Sequence, residues 1–350
     1  MIKRADVKTH RMHFRTPFKI AYEEVETADV VTVTLTDEFG HVGLGSAAPD
    51  PEVTGETAQK DAEILAQKLT PDLLSFSLSD WPTWHERIEL ALQGFPSAQS
   101  AAEEAVLNLR AQSEGVSMGT YFGHFRDLCP IMITIGIKGP AETAREVQTR
   151  LQEGYRVIKL KIGLDAPKDL ERILAARRLI PPGCSLVLDA NQGYSFHDAE
   201  WLVHKLDGVD IAALEQPVAA EDLEGLKNLH HSTRIPIIAD EAATSVEKTL
   251  HILQGDYASG VNIKLMKCGG PFNFIRLFHM AKNLDKLFMI GCMYESNLSI
   301  TTGAHLALAL PLDFADLDSG HLDFADDPVL GGAIVENGSI RIGSPLKMNF

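Results

Sequence analysis

Apolar and polar positions alternate with period two over residues 2–13, 30–36 and 42–46, and a turn at 37–41 joins the last two runs. Alternation sends every second side chain to one face, so these runs predict a small antiparallel sheet, with Gly40 available for positive φ at the turn. The pattern then changes to a helical period over 55–69, 81–93 and 98–113, the last stopping near Gly115. From residue 131 it changes again. Eight short apolar runs, 131–137, 157–163, 186–189, 211–215, 236–240, 261–264, 287–291 and 314–318, recur with helical patterns between most of them. Eight strands in such a repeat close a parallel α/β barrel. A further hairpin signal at 333–342, with Asn337-Gly338 at its turn, has no place in the repeat and is expected to pack back on the N-terminal unit. Residues 16–29, polar and long for a hairpin connection, are expected to form a surface loop, a lid or a plain solvated acidic segment. The expected division is an α+β capping domain at 1–125, joined by 331–350, and a barrel at 126–330.

Within 157–163 the alternation brings Lys159 and Lys161 to one face, with Ile158, Leu160 and Ile162 on the other. Two ammonium groups on a buried face require anions nearby, because unpaired buried charge is strongly unfavourable. The next three runs end in Asp189, Glu215 and Asp240, spaced 26 and 25 residues apart. Lys264 ends the sixth run and shares a face with Asn262, while Asp316 and Asp318 share a face at the eighth. Barrel strand ends of one sense meet at one mouth. Each carboxylate alone reads as a helix N-cap; their recurrence at barrel period beside lysines favours a cage. Three oxygen ligands without Cys or His suit a hard ion, Mg²⁺, one per subunit.

Lys161 and Lys264, on the second and sixth of eight strands, stand opposite each other. A substrate carboxylate held between them would present its α-carbon to one amine on each side. One lysine would take the proton and the other return it, inverting the carbon, with the metal stabilising an enediolate. Burial beside a cation is expected to lower the lysine pKa toward the working range. Asn191 shares a face with Asp189 and is placed to orient the ligands. Glu241 and Glu295 receive supporting roles, Lys267 reads as a surface lysine, and His230-His231 as loop residues.

Composition narrows the class. At 350 residues, 45% hydrophobic and 23% charged, the chain is ordinary globular protein with room for a barrel and a second unit. A formal charge of −16 without any basic run argues against nucleic acid as a partner. No stretch reaches the roughly 18 apolar residues of a spanning helix, so no membrane partner and a cytoplasmic location are expected. Cys129, Cys184, Cys268 and Cys292 show no C-x-x-C spacing and read as free thiols. A homo-oligomer is the expected assembly.

K-L-K at 159–161, L-D-A-N-Q at 188–192, E-Q-P at 215–217, A-D-E at 239–241 and N-I-K-L-M-K-C-G-G at 262–270 resemble the enolase superfamily, muconate lactonizing subgroup, and the likeness covers nearly the whole chain. The resemblance implies a modified TIM barrel, (β/α)7β, under an α+β capping domain. It also implies Mg²⁺ on Asp189, Glu215 and Asp240, Lys161 and Lys264 as bases, and Lys159 as their electrostatic neighbour on the substrate side. Asp316-Leu317-Asp318 is similar to the D-x-D of dipeptide epimerases, whose acidic pair holds the dipeptide's α-ammonium group. Epimerisation then falls on the α-carbon of the C-terminal residue.

Members acting on Ala-Glu carry a basic residue in the capping loop, near where this chain has Glu23. Here Glu23, Glu24 and Glu26 would repel an acidic side chain. The expected substrate is therefore an L,L-dipeptide with a cationic or otherwise non-acidic C-terminal residue, with Glu23 and Glu295 as additional substrate contacts. Lys19, close by, leaves L-Ala-D/L-Glu epimerisation open. N-acylamino acid racemisation, o-succinylbenzoate synthesis and cycloisomerisation are disfavoured because their substrates lack a free α-ammonium group. A non-catalytic barrel binding small acids is disfavoured because both base positions and all three ligand positions are filled.

Overall fold

Three antiparallel strands, β1 (Ile2–Lys19), β2 (Glu24–Asp37) and β3 (Val42–Ala47), form a sheet in the order of the sequence. Against it pack α1 (Ala58–Lys68), α2 (Trp81–Ala91) and α3 (Pro96–Glu114), around a core that includes Val31, Val33, Leu35, Trp84, Ile88 and the alanines of α3. The computed structural model describes residues 1–19, 24–69, 75 and 77–349. Glycines on β3 set how closely α3 approaches: a Cβ on Gly45 would stand 1.9 Å from the Ala101 carbonyl oxygen. The small alanine face of α3 completes that fit.

The barrel follows β4 (Cys129–Pro130) and runs β5 (Met132–Ile135), β6 (Val157–Lys161), β7 (Ser185–Asp189), β8 (Ala213–Glu215), β9 (Ile237–Ala239), β10 (Gly260–Lys264), β11 (Leu287–Gly291) and β12 (Phe314–Ala315). Neighbours pair in parallel in sequence order from β5 to β12. The crossovers are α4 (Pro140–Gln152), α5 (Ala166–Leu179), α6 (Phe196–Lys205), α7 (Leu223–Ser232), α8 (Val246–Gln254), the pair α9 (Leu265–Cys268) and α10 (Pro271–Asn283), and α11 (Asn297–Ala309). Seven strand–helix units followed by a last strand give the (β/α)7β arrangement under an α+β cap. At the seam, the Thr134 amide on β5 donates to Asp318 Oδ2 beyond β12 at 2.7 Å.

Alternation sorts the strand residues into layers. Outward positions such as Ile158, Leu160, Leu186, Leu188, Val261 and Ile263 join the main core with the helices. Inward positions split along the axis. Met132, Val187, Ala213, Ile238 and Met289 form a separate apolar plug, and the inward residues nearer the strand ends are Lys159, Lys161, Asp189, Glu215, Asn262 and Lys264.

Two expectations change. Residues 16–29 are not a loop over most of their length: β1 and β2 continue outward, with Phe18 opposite Val25 and Lys19 opposite Glu24 after an irregularity beyond His13. The extended hairpin is anchored by the loop after β12. The Arg15 amide donates to the Asp323 carbonyl at 2.7 Å, the His13 amide to Asp326 Oδ1 at 2.7 Å, and Phe14 packs on Phe324 and Tyr294. The C-terminal hairpin, β14 (Ala333–Glu336) and β15 (Ser339–Ile342), has the expected turn, with Asn337 and Gly338 at φ 50° and 71°. It pairs with β4 rather than with the cap sheet, because Ile340 and Ser339 continue the ladder of Cys129 and Pro130. The adjoining pair β13 (Val329–Leu330) and β16 (Lys347–Met348) reaches the cap, through a small cluster of Leu44, Leu298, Val329, Leu346 and Met348.

Candidate active site

Parallel register places the charged residues side by side: Lys161 is level with Asp189, and Asp189 with Glu215. The Lys161 ammonium donates to Asp189 Oδ2 at 2.7 Å and Asn191 Oδ1 at 2.8 Å. Lys159 lies 2.6 Å from Asp316 Oδ2, 2.9 Å from Glu215 Oε2 and 3.0 Å from Asp189 Oδ2. Lys264 lies 3.0 Å from Asp240 Oδ2, and Asn262 Nδ2 donates to Glu215 Oε1 at 2.7 Å. Asp189, Glu215 and Asp240 are each no more than 1% exposed. Gly291, level with Lys264, leaves the space that Asn262 fills: a Cβ there would stand 2.4 Å from Asn262 Oδ1.

The backbone around these groups is held from outside. Arg172 donates to the Lys161 carbonyl at 3.1 Å and to Asp169 Oδ1 at 2.8 Å, and Asp169 Oδ2 accepts from the Gly163 amide and the Tyr194 hydroxyl. Asn191, Gln192 and Gln216, directly after two of the carboxylate strands, take positive φ of 40°, 68° and 32°. Such backbone is strained outside glycine and persists only where its surroundings fix it. Gln216 repays that strain locally, its Oε1 accepting the Asp240 and Ala242 amides at 2.9 and 3.1 Å. The glutamines of L-D-A-N-Q and E-Q-P thus tie neighbouring strand ends together.

Burial and mutual charge govern protonation here. Burial would raise the pKa of Asp189, but Lys159 and Lys161 bring it down to about 2. Asp240, beside Lys264 and Lys267, is held far below the carboxylate range despite burial. Glu215, buried and next to the Asp189 charge, is pushed up to about 8, and Glu241, buried beside Asp240, to about 7. Lys264 departs from expectation: burial favours the neutral amine, yet Asp240, Glu241 and Glu215 hold its pKa well above the usual lysine value.

The donor set fits a divalent ion. Asp189, Glu215 and Asp240 supply hard oxygens from adjacent strand ends, and buried Glu215 Oε2 has no hydrogen bond, only its ion pair with Lys159. Among the described residues, the three-residue group with all ligand atoms within 4.8 Å is instead His230, His231 and Asp256. The carboxylate trio is less tightly gathered, and the Lys159 ammonium pairs with two of its members, Asp189 and Glu215. Chemically the trio suits Mg²⁺, which prefers carboxylate oxygen.

A cavity of about 440 Å³ opens onto this cluster. Of the expected residues, Lys159, Lys161, Lys264, Asp316 and Asp318 line it, as do Asn191 and Glu241. Glu295 is buried but does not line the cavity; its Oε1 accepts the Met293 amide at 3.0 Å. Glu23 lies outside the described residues, and Glu26 is exposed on β2 without lining the cavity. The hairpin residues that do line it are Arg15 and Thr16.

Two further assignments are corrected. Lys267 is 1% exposed, not a surface lysine, and its ammonium donates to Asp240 Oδ1 at 2.5 Å, the Asp240 carbonyl at 2.7 Å and the Asn262 carbonyl at 2.9 Å. A lysine inside the apolar run Leu265-Met266-Lys267-Cys268 was the available signal. His230 and His231 belong to α7 rather than to a loop. All four cysteines are free, as expected, and no helix among the described residues is long and apolar enough to cross a membrane.

Residues 3–123 match the mandelate racemase / muconate lactonizing enzyme N-terminal domain, and residues 142–345 match the enolase C-terminal domain-like family. The chain is 35% identical to an L-Lys-D/L-Arg epimerase of Desulforapulum autotrophicum over 93% of its own length and 92% of the relative's. It superposes on a substrate-liganded complex of the L-Ala-D/L-Glu epimerase from Bacillus subtilis with a TM-score of 0.92, at 32% identity, covering 99% and 97% of the two chains. A dipeptide epimerase from Methylococcus capsulatus, complexed with Mg and the dipeptide L-Arg-D-Lys, superposes with a TM-score of 0.89 at 31% identity, covering 99% and 98%. The chain belongs to the mandelate racemase / muconate lactonizing enzyme family of the enolase superfamily.

Proposed function

We propose that the protein is a Mg²⁺-dependent dipeptide epimerase, an isomerase that inverts the α-carbon of a dipeptide's C-terminal residue. The observation that carries this reading is the pairing, in one cavity, of Lys161 on β6 and Lys264 on β10 with the acidic pair Asp316 and Asp318. Lys161 and Lys264 stand four strands apart in a row of eight, where each can reach one face of a planar α-carbon. Lys161 is oriented by Asn191 and Asp189, Lys264 by Asp240. Asp318, fixed by the Thr134 amide, receives the substrate's α-ammonium group, and Lys159 holds Asp316 in place beside it. Mg²⁺, held by Asp189, Glu215 and Asp240, would supply the positive charge that offsets the negative charge developing on the substrate carboxylate. The same charge would offset the carboxylates of Asp240 and Glu215 that hold the proton on Lys264.

The relatives at 31–35% identity act on cationic and on Ala-Glu dipeptides alike. A non-acidic or cationic substrate is favoured by Asp318 and Asp323, two half-buried cavity carboxylates that form no ion pair among the described residues. An Ala-Glu substrate is the second reading, favoured by Arg15 at the cavity rim. The test is incubation of a mixed L,L-dipeptide library in D2O with Mg²⁺, reading mass gain by peptide. Single deuterium incorporation, abolished by EDTA and restored by Mg²⁺, is the expected result. No labelling of any dipeptide would overturn the reading.

A further inference from the structure

At the foot of the barrel, where helices end and strands begin, two histidines and an aspartate converge on the side away from the mouth. His230 and His231 lie in the last turn of α7, Asp256 in the turn between α8 and β10, and one ligand atom from each falls within 4.8 Å of the others. Successive residues of a helix point about 100° apart and do not ordinarily face one another. Here the chain leaves the helix at once, with Thr233 extended at φ −130° and ψ 159°, and the two imidazoles lie side by side, their centroids 4.7 Å apart and their planes 37° tilted.

The separations are those of ligands around an ion. His230 Nε2 stands 3.4 Å from Asp256 Oδ1, and His231 Nε2 stands 3.5 Å from Asp256 Oδ2. Both are long for a hydrogen bond. They match the edge of a tetrahedron around zinc, which is about 3.3 Å for ligand bonds of about 2.0 Å. The outer contacts of the group are also those of a ligand set. His230 Nδ1 lies 3.0 Å from Ser259 Oγ, which itself accepts the Ile237 amide at 2.9 Å, so the ring is held with Nε2 turned to Asp256. A partner on the second ring nitrogen is what orients a metal-binding imidazole. Burial and the Lys286 charge lower the pKa of His230, which keeps its ring in the neutral form that binds metal. Lys286 pairs with Asp256 Oδ1 and donates to the Ala258 carbonyl at 2.8 Å, which fixes the carboxylate and leaves Oδ2 toward His231. Its charge weakens the attraction for a cation without filling a ligand position.

We propose that His230, His231 and Asp256 form a second metal site, for a zinc-like divalent cation, that clamps the end of α7 to the turn before β10. Two imidazoles and one carboxylate suit zinc, whereas the all-carboxylate set at the mouth suits Mg²⁺, so the two sites differ in chemistry as well as in place. Water completes the zinc shell. The inference is independent of the epimerase reading. The full chain, stripped with EDTA and returned to excess Mg²⁺, is titrated with zinc chloride by calorimetry as wild type, His231→Ala and Asp256→Asn. His231 is exposed, so its truncation leaves the packing of α7 in place. The wild type is expected to bind Zn²⁺ in the presence of Mg²⁺, with an affinity that falls at least about tenfold in each variant. Zn²⁺ should also raise the thermal midpoint of the wild type and not that of His231→Ala. No Zn²⁺ binding by the wild type would overturn the inference. A smaller drop in either variant would overturn it as well, by placing the ion on the mouth carboxylates or on a thiol.

Discussion

Lys267→Met tests whether a buried ammonium holds Asp240 in position. Methionine is similar in length and apolar, so packing is largely conserved while the charge and three donated hydrogen bonds disappear. Those bonds run to Asp240 Oδ1, the Asp240 carbonyl and the Asn262 carbonyl at 2.5, 2.7 and 2.9 Å. Removing one partner of a buried ion pair costs about 3–5 kcal/mol. Two features place this case at the lower end. Lys264 remains 3.0 Å from Asp240, and burial disfavours the Lys267 charge enough to lower its pKa below the ordinary value, so that cost is relieved in the variant. A loss of about 3 kcal/mol, with a urea slope of about 3 kcal/mol/M, lowers the unfolding midpoint by about 1 M. Asp240→Asn and the double variant complete a cycle, in which the coupling between the two positions should be about 2 kcal/mol or more. A midpoint unchanged or raised in Lys267→Met, or additive effects in the cycle, would refute the role assigned to Lys267.

Two other predictions lie in the cap. Asp61 is fully buried, and burial together with the Glu56 charge lifts its pKa to about 8. Its proton is bound more tightly in the folded state, so its contribution to stability falls as pH rises from about 4, the unfolded value, through that folded pKa, by up to about 1.4 kcal/mol per pH unit. Asp61→Asn should remove this slope, and urea titrations from pH 4.5 to 8.5 running parallel for wild type and variant would count against it. Gly45→Ala should destabilise by about 1–3 kcal/mol, since its Cβ meets the Ala101 backbone at 1.9 Å; an unchanged melting temperature would show that α3 can move away.

Much of the barrel and its mouth is legible in the sequence because charge in a strand has few places to go. Lys159, Asp189, Glu215 and Asp240 interrupt apolar runs at barrel period, and only a shared polar mouth accommodates all of them. The rest of the site lacks that period. Lys267 is turned inward by the four-residue helix α9, a local geometry that no repeat announces. Arg15, Tyr155 and Asp323 come to the cavity through tertiary placement, from the hairpin, from the entry to β6 and from the loop after β12. Residues 16–19 and 24–29 look like loop by composition, yet the loop after β12 gives the hairpin its outer anchors at Arg15 and His13, and tertiary pairing overrides weak local preference. The pKa direction of Lys264 is hidden from the sequence for a similar reason, since the distance to Asp240 and not burial alone decides it.

The proposed inversion requires two amines serving opposite faces of one carbon. Lys161→Ala and Lys264→Ala, each incubated with Mg²⁺ in D2O with the L,L epimer and separately with the L,D epimer of a turned-over dipeptide, test it by NMR of the α-hydrogen. Neither variant is expected to epimerise, and one is expected to exchange only the L,L substrate while the other exchanges only the L,D substrate. Epimerisation surviving in either variant, or both variants exchanging the same epimer, would contradict it.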